Sequence, residues 1–212
     1  MIISRGRNFI FVHIPKTGGT AMTLALEARA KKDDVLIADT PKAQRRKHRL
    51  ADLTPQGRLW KHSKLADVRG ILSEAEMQEM LVFTLVRNPW DRLVSYYHWL
   101  RAQGFDHPAV RLAQTVPFAT FLHDPATQIA IRGNHYASYV KGAVNPVFVR
   151  LEHLDADMAP VVAHLGFEPQ LERVNASARA RDWRGYYSDI DAELVAKICA
   201  GDVTRFAYSF DA

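Results

Sequence analysis

Three short apolar runs alternate with helical patterns along the chain. The runs lie at residues 9–14, 81–86 and 146–151. Each is rich in β-branched and aromatic residues, which is typical of a strand buried on both faces. Helical patterns follow the runs, at residues 21–30, 88–102 and 155–165. Strands separated by helices predict a three-layer α/β fold, in which a central parallel sheet is flanked by helices.

The remaining stretches add helices and one segment without a clear period. A capping box predicts a short helix at residues 73–80, and a last helix is predicted at 191–200. Residues 103–141 have the pattern of a mainly helical insertion. Residues 31–64 are polar and weakly periodic, which favours a long arm or a flexible loop. The length predicts a single domain, 1–212.

Positive charge is concentrated in one segment of the chain. The sequence has 28 Lys and Arg against 23 Asp and Glu, a formal net charge of +5. Residues 41–64 alone contain eight basic residues and one acid, and the rest of the chain is slightly negative. A basic cluster is one feature of nucleic-acid-binding proteins. This cluster contains no aromatic residue apart from Trp60 and no nucleic-acid-binding motif, so we expect no nucleic acid as a partner.

The sequence also limits the compartment and the kinds of site. No window approaches the ~18 consecutive apolar residues of a membrane span, and the first residues lack the apolar core of a signal peptide. We therefore expect a cytoplasmic protein without a membrane span. Cys199 is the only cysteine, and none of the nine histidines has convincing metal-ligand spacing. The sequence therefore predicts no metal site.

The strongest chemical signal is the loop after the first predicted strand, Pro15-Lys16-Thr17-Gly18-Gly19-Thr20. Glycines at the start of a helix allow backbone N–H groups to approach an anion closely. Lys16 adds a positive charge, and Thr17 and Thr20 add hydroxyl donors. The loop differs from the ATPase pattern Gly-x4-Gly-Lys-Ser/Thr because both glycines follow the lysine. The loop therefore predicts a site for a phosphate-type ligand, but it does not predict a conventional nucleoside triphosphatase.

A second signal follows the second predicted strand. Arg87 lies at the strand end, and Asn88 and Pro89 fit the N-cap and the first position of a helix. Open α/β folds bind ligands at this carboxyl edge of the sheet. The Arg87 guanidinium can bind a phosphate through two hydrogen bonds, with Ser95 as a second donor. Taken alone, the pair is equally compatible with a surface serine and an arginine that bonds carbonyl oxygens.

Together the two motifs, at residues 11–20 and 85–97, resemble the cofactor motifs of the PAPS-dependent sulfotransferases. The match is to the branch that includes carbohydrate sulfotransferases and many bacterial members. The resemblance implies a P-loop-like fold and 3′-phosphoadenosine 5′-phosphosulfate (PAPS) as the sulfate donor, with PAP as the product. In this family's pattern, the 3′-phosphate is bound by Arg87 and Ser95. The 5′-phosphosulfate is bound by Lys16, Thr17, Gly18, Gly19 and Thr20.

The resemblance also directs the choice of a catalytic base. Related sulfotransferases often place a histidine between the two motifs, where this chain has His62. A neutral imidazole suits the removal of a proton from a hydroxyl near pH 7. His13 is the second candidate, although its strand position favours a buried histidine. Lys16 is expected to stabilise the bridging oxygen that leaves with the nucleotide. A weaker cofactor-side candidate lies late in the chain, at Asn175, Ser177, Arg179 and Arg181.

The sequence therefore predicts a sulfotransferase that moves a sulfuryl group from PAPS to an acceptor hydroxyl. The resemblance implies a carbohydrate or a glycosylated molecule as the acceptor. The basic segment 41–64 lies between the two motifs and indicates that the acceptor is anionic. Two alternatives stay open. One is a P-loop-like small-molecule kinase, which the order of the glycines disfavours, and the other is a non-catalytic protein that binds nucleotides or polyanions.

Overall fold

The computed structural model describes residues 1–172, 179–180 and 182–211. The chain divides into two units. The first consists of Met1–Val86 and Tyr136–Asn175, and the second of Arg87–His135 and Ala176–Ala212. The single domain expected from the length stays a prediction. Within the described ranges, no helix is long and apolar enough to cross a membrane.

The first unit is built on a five-stranded sheet. In chain order the strands are β1 (Ile2–Ser4), β2 (Phe9–Val12), β3 (Val35–Leu36), β4 (Leu81–Val86) and β5 (Val147–Arg150). Across the sheet their order is β3-β1-β2-β4-β5. The three strands expected from the apolar runs are β2, β4 and β5, and they pair in parallel. The predicted α/β fold class, with a parallel central sheet flanked by helices, is confirmed.

Two antiparallel strands extend the parallel part and correct the sequence prediction. β1 pairs with β2 and with β3 in antiparallel fashion, so this edge of the sheet is antiparallel and the sheet as a whole is mixed. These strands contain three and two residues, which is too short for an alternating pattern to stand out. Burial stabilises them, because Ile2, Ile3 and Leu36 are each at most 2% exposed.

The stretch 31–64 is more structured than an arm or a flexible loop. It contains β3, the helix α2 (Pro41–Arg45) and a 3-10 helix at Lys47–Leu50. Thr40 caps α2 by accepting a hydrogen bond from the N–H of Ala43, and Ala43 belongs to the hydrophobic core. The expectation of a loop is therefore wrong for the first part of this stretch. Its buried side chains are too few to produce a visible period.

Helices α1 (Gly19–Ala28) and α9 (Leu154–Leu165) pack on the sheet of the first unit. Met22 of α1 and Val161 of α9 share one core cluster with Phe11 and Phe83 of the central strands. The rings of Phe11 and Phe83 have centroids 5.1 Å apart. Strand β2 is buried along its whole length, which explains its continuous apolar run. The described helices of this unit are α1 (Gly19–Ala28), α2, α3 (Glu74–Glu79), α8 (Tyr136–Tyr139) and α9 (Leu154–Leu165).

The second unit is helical. Its described helices are α4 (Pro89–Arg101), α5 (Pro108–Thr115), α6 (Phe118–His123), α7 (Pro125–Gly133), α10 (Asp189–Ile198) and α11 (Ala200–Phe206). Asn88 caps α4 by accepting a hydrogen bond from the Trp90 N–H, as its sequence predicts. Helix α11 has no counterpart in the sequence analysis, because Gly201 weakens its helical pattern. The buried face of α4 packs in an aromatic core of this unit.

Candidate functional site

The loop between β2 and α1 has the shape of an anion site. Lys16 and Gly18 adopt left-handed backbone conformations, with φ of 67° and 83°. Such conformations turn neighbouring N–H groups into a concavity that binds anions. Gly18 is the N-cap of α1, and because glycine has no side chain it cannot accept a hydrogen bond from the first N–H groups of the helix. These donors, together with the positive end of the helix dipole, fit a phosphate-type ligand.

The two glycines of the loop serve different purposes. A Cβ atom on Gly19 would lie 2.1 Å from Cδ2 and 2.5 Å from Nε2 of His13. Gly19 is therefore required by close contact with a buried ring. Gly18 is exposed, and its left-handed backbone is one that residues with a side chain rarely adopt. The glycine pair thus combines a close approach with a special backbone conformation.

The other loop side chains have different surroundings. Thr17 is fully buried, and its hydroxyl donates to the Ile14 carbonyl oxygen over 2.9 Å. Its single hydroxyl proton is used inside the loop, so a contact of Thr17 with an anion depends on its backbone N–H. Lys16 and Thr20 are half-buried. Thr20 also lines a cavity beside the loop, so its hydroxyl is better placed than that of Thr17 to contact a ligand.

His62 reaches this loop through His13. Nδ1 of His62 is 2.9 Å from the His13 carbonyl oxygen, and the two rings meet edge to face with centroids 4.5 Å apart. A carbonyl oxygen only accepts, so Nδ1 carries the hydrogen and Nε2 is the unprotonated nitrogen of the neutral ring. Burial lowers the pKa of His62 to about 4, which keeps the ring neutral at pH 7. Nε2 therefore has the protonation state that a general base needs.

His13 is the inner member of this histidine pair. It is 5% exposed, as its strand position predicts. Burial holds the pKa of His13 well below its usual range. Its ring contacts Phe11 and His62 and lies against Gly19. His62 is only half-buried, so it is the ring of the two that an acceptor hydroxyl can reach.

A cavity of about 280 Å³ lies next to the loop within the first unit. Lys61 lines it and forms an ion pair with Asp39 over 2.7 Å. Three threonine hydroxyls and the edge of an imidazole complete the polar part of the lining. Those threonines are Thr20, Thr23 and Thr40, and the imidazole is that of His13. The hydroxyls of Thr23 and Thr40 donate to the Gly19 carbonyl oxygen and to the Glu27 carboxylate, so the Thr20 hydroxyl and the ion pair are the groups offered to a small polar molecule.

The second motif forms an ion-pair cluster in the second unit. Nε of Arg87 is 2.7 Å from Oδ2 of Asp91, and Arg179 pairs with the other carboxylate oxygen. The three side chains are between 8% and 17% exposed. One carboxylate therefore holds two guanidinium groups, and the cluster has one positive charge in excess. This arrangement favours the binding of an anion.

The face of α4 that follows Arg87 continues this polar surface. Asp91, Ser95 and His98 are four and three residues apart and so share one side of the helix. Ser95 is 4% exposed. Nε2 of His98 is buried and makes no hydrogen bond to any residue that the structure describes. The opposite face of α4 is buried and apolar, and it consists of Trp90, Leu93, Val94, Tyr97 and Leu100.

The predicted site residues fall into two groups, one in each unit. The structure brings His62 to the loop of residues 16–20, and it places Arg87 in a cluster at the start of the helix that contains Ser95. Asn175, Ser177 and Arg181 lie outside the described residues. In the described ranges, no group of three or more His, Cys, Asp or Glu side chains is arranged to hold a metal ion.

Asp91 is not included in the predicted site, although the sequence contains a signal for it. Asp91 follows Arg87 by four positions, the spacing of a helical ion pair. The partnership of Asp91 with Arg179 spans 88 residues, and no local pattern indicates it. The contact between His62 and His13 spans 49 residues and is equally invisible in the sequence.

Comparisons with known proteins agree with this chemistry. The profile of the sulfotransferase family matches residues 1–198. The crystal structure of mouse sulfotransferase SULT7A1 complexed with PAP is similar to this chain, with a TM-score of 0.54 and 16% sequence identity. The match covers 94% of this chain and 86% of that chain, and at this identity it shows a shared fold. No curated protein matches the chain in sequence.

The fold and the two motifs together define the class of protein. The profile match covers most of the chain, so the chain belongs to the sulfotransferase family and is an enzyme. The resemblance carried by residues 11–20 and 85–97 is therefore confirmed. The kinase and the non-catalytic binding protein, which the sequence left open, have no support from these comparisons.

Proposed function

We propose that this enzyme transfers a sulfuryl group from PAPS to a hydroxyl group of an anionic carbohydrate, with His62 as the general base. The observation that carries the proposal is the orientation of His62. Its Nδ1–H donates to the His13 carbonyl oxygen, which directs the basic Nε2 away from the backbone of His13. The ring of His13 in turn lies against Gly19 of the anion loop.

The resemblance of residues 11–20 and 85–97 to cofactor motifs assigns one charged end of the donor to each motif. The uncapped N-terminus of α1 and the left-handed residues Lys16 and Gly18 suit the 5′-phosphosulfate. The excess positive charge around Asp91, with Arg87 as the main ligand and Ser95 on the same helix, suits the 3′-phosphate. The similar mouse sulfotransferase was crystallised with PAP, which supports the same nucleotide here.

The proposed reaction is a single in-line displacement at sulfur. The acceptor oxygen forms a new S–O bond as its proton passes to Nε2 of His62. The bond between sulfur and the bridging oxygen breaks, and both electrons stay with the 5′-phosphate of PAP. Lys16 stabilises the negative charge on that bridging oxygen, and the loop N–H groups bind the sulfuryl oxygens. Such a reaction depends mainly on positioning and on charge stabilisation.

An anionic acceptor is favoured by the charge of the segment that contains His62. The segment 41–64, which contains His62, has eight basic residues and one acid. Clustered positive charge attracts a polyanion and accelerates its encounter with the site. Carbohydrates are favoured over other acceptors by the family branch that the motifs resemble. The cavity beside the loop offers hydroxyl and charged groups to a polar ring.

Substitution of His62 tests this proposal. His62→Asn keeps a side-chain N–H that can donate to the His13 carbonyl oxygen but removes the base. We expect kcat to fall by about 10²–10⁴-fold in both His62→Asn and His62→Ala. In the wild type, because the base works unprotonated and its pKa is about 4, kcat/KM should stay level from pH 8 to pH 6 and fall as the pH approaches 4.

Binding of PAP provides the control for this experiment. PAP should raise the melting temperature of the wild type and of both variants equally, because His62 does not bind the nucleotide in this proposal. ATP with magnesium should have a much smaller effect. Near-normal transfer by His62→Asn would contradict the role of His62. Failure of the wild type to sulfate any of a panel of glycosaminoglycan and neutral oligosaccharides would contradict the carbohydrate acceptor.

A further inference from the structure

A row of contacting rings runs from the protein surface to the anion loop in the first unit. Trp60 and His62 meet edge to face with ring centroids 5.0 Å apart. His62 meets His13 at 4.5 Å, and the ring of His13 lies against Gly19. The outermost ring of this row, Trp60, is 45% exposed. An exposed tryptophan therefore stands beside the base on the side away from the loop.

The position of Trp60 is fixed by its own backbone. Its N–H donates to the hydroxyl oxygen of Ser63 over 2.9 Å, and its carbonyl oxygen accepts from the N–H and the hydroxyl of Ser63. Ser63 is completely buried. The turn of residues 60–63 is therefore braced, which fixes the backbone that carries the exposed indole. A rigid, amphipathic ring of this kind binds a ligand at a low cost in conformational entropy.

Arg58 brings positive charge to the same surface. Its guanidinium carbon is 5.9 Å from the centre of the Trp60 ring. No carboxylate among the described residues forms an ion pair with Arg58, whereas Lys61 on the same turn pairs with Asp39. The guanidinium is thus available to an external anion, and it lies next to an apolar face.

We propose that Trp60 and Arg58 form the acceptor subsite, which we call the Trp60 platform. A pyranose ring of the acceptor stacks on the indole, and a carboxylate or sulfate group on that sugar pairs with Arg58. The hydroxyl to be sulfated then lies toward Nε2 of His62. This inference rests on the proposed function, and it makes the acceptor an acidic oligosaccharide that is recognised by one aromatic face and one guanidinium group.

Substitutions at Trp60 test the platform. With a chondroitin hexasaccharide as acceptor, Trp60→Ala should raise KM about tenfold or more and change kcat little, because stacking is present before and during transfer. Trp60→Phe should cause a smaller increase. Phe105→Ala is the matched control, since Phe105 is 49% exposed in the second unit, and it should leave KM unchanged. Equal KM values for Trp60→Ala and Phe105→Ala would overturn the platform.

The charge requirement is tested with a second sugar. A neutral hexasaccharide of N-acetylglucosamine should bind the wild type about tenfold more weakly than the chondroitin hexasaccharide. Arg58→Ala should remove most of this difference. Lys197→Ala, which removes one exposed positive charge from the second unit, should preserve it. Equal binding of the two hexasaccharides by the wild type would overturn the pairing with Arg58.

A binding measurement separates this inference from the proposed function. The chain has four tryptophans, and the chondroitin hexasaccharide should quench the fluorescence of the wild type but not that of Trp60→Phe. Quenching that persists in Trp60→Phe places the sugar elsewhere and overturns the platform, while sulfation itself remains. If the wild type binds PAP but neither hexasaccharide, the carbohydrate acceptor is wrong and the platform falls with it.

Discussion

The two motifs of this enzyme are suited to charged ligands by different means. The loop of residues 16–20 is built from backbone: left-handed residues, an uncapped helix start and a glycine that admits a neighbouring ring. The cluster in the second unit is built from side chains, because Asp91 holds Arg87 and Arg179 by ion pairs. The first arrangement depends on the absence of atoms, and the second depends on the presence of particular ones.

This difference determines how each motif can fail. The shape of a backbone site does not depend on its side chains, but it is distorted by any added atom, since neighbouring groups already occupy the space. A site built from ion pairs tolerates small movements, but it changes its charge when one member is replaced. Substitutions that add atoms should therefore damage the loop most, and substitutions that remove charge should damage the arginine cluster most.

The largest effect is expected from Gly19→Ala. The new methyl group would lie 2.1 Å from a ring atom of His13, so either the loop or the buried ring must move. A displacement of catalytic groups by about 1 Å costs about 10²-fold in kcat. Overpacking should also lower the free energy of unfolding by about 1–3 kcal/mol. Transfer assays with saturating PAPS and urea denaturation measure the two losses separately.

Two variants control this experiment. Gly201→Ala adds the same methyl group within helix α11, where nothing lies within 4 Å of it, and it should leave transfer unchanged and stabilise the protein by about 0.5–1 kcal/mol. The double variant Gly19→Ala/His13→Ala removes the clashing ring and should regain stability relative to Gly19→Ala alone. A Gly19→Ala protein with wild-type stability and activity would contradict the close-contact explanation.

The removal of one charge at each motif should have a smaller total effect than Gly19→Ala, because no overpacking lowers the free energy of unfolding as well. Lys16→Ala should lower kcat by about 10²-fold with little change in the dissociation constant of PAP. Arg87→Ala should raise that constant by about 10–100-fold and affect kcat less. Calorimetric titration with PAP and initial-rate kinetics test both. The reverse pattern would exchange the ends of the nucleotide between the two motifs.

The sequence predicted those parts of the fold that produce a repeated or local signal. Strand β2 is buried on both faces and therefore appears as an unbroken apolar run, and α4 has an N-cap, a proline and an apolar stripe. β1 and β3 contain three and two residues, and only pairing within the sheet makes them strands. The first part of the segment 31–64 escapes sequence prediction for the same reason, because its order comes from contacts rather than from a repeated pattern.

The candidate site shows the same division. The anion loop could be predicted because its glycines and its lysine are adjacent in the chain. The hydrogen bond that orients His62 comes from a residue 49 positions away, so the sequence indicates a histidine without indicating its tautomer. The hydroxyl of Thr17 was expected to face a ligand, but it closes the loop on Ile14 instead. Side-chain direction within a turn follows from tertiary packing and is not encoded by residue type.

The smallest effect is expected from Asp91→Asn, which leaves both arginines in place but removes their shared counter-charge. We expect a loss of about 1–3 kcal/mol in the free energy of unfolding and about a threefold to tenfold weaker binding of PAP, because Arg87 is no longer held in position. Asp157→Asn is the matched control. Asp157 pairs with Arg150 through two hydrogen bonds of 2.7 and 2.9 Å in the first unit, so its loss should destabilise the protein without weakening PAP binding. If the two variants bind PAP equally well, Asp91 serves only stability, and the arginine cluster does not depend on a carboxylate for its shape.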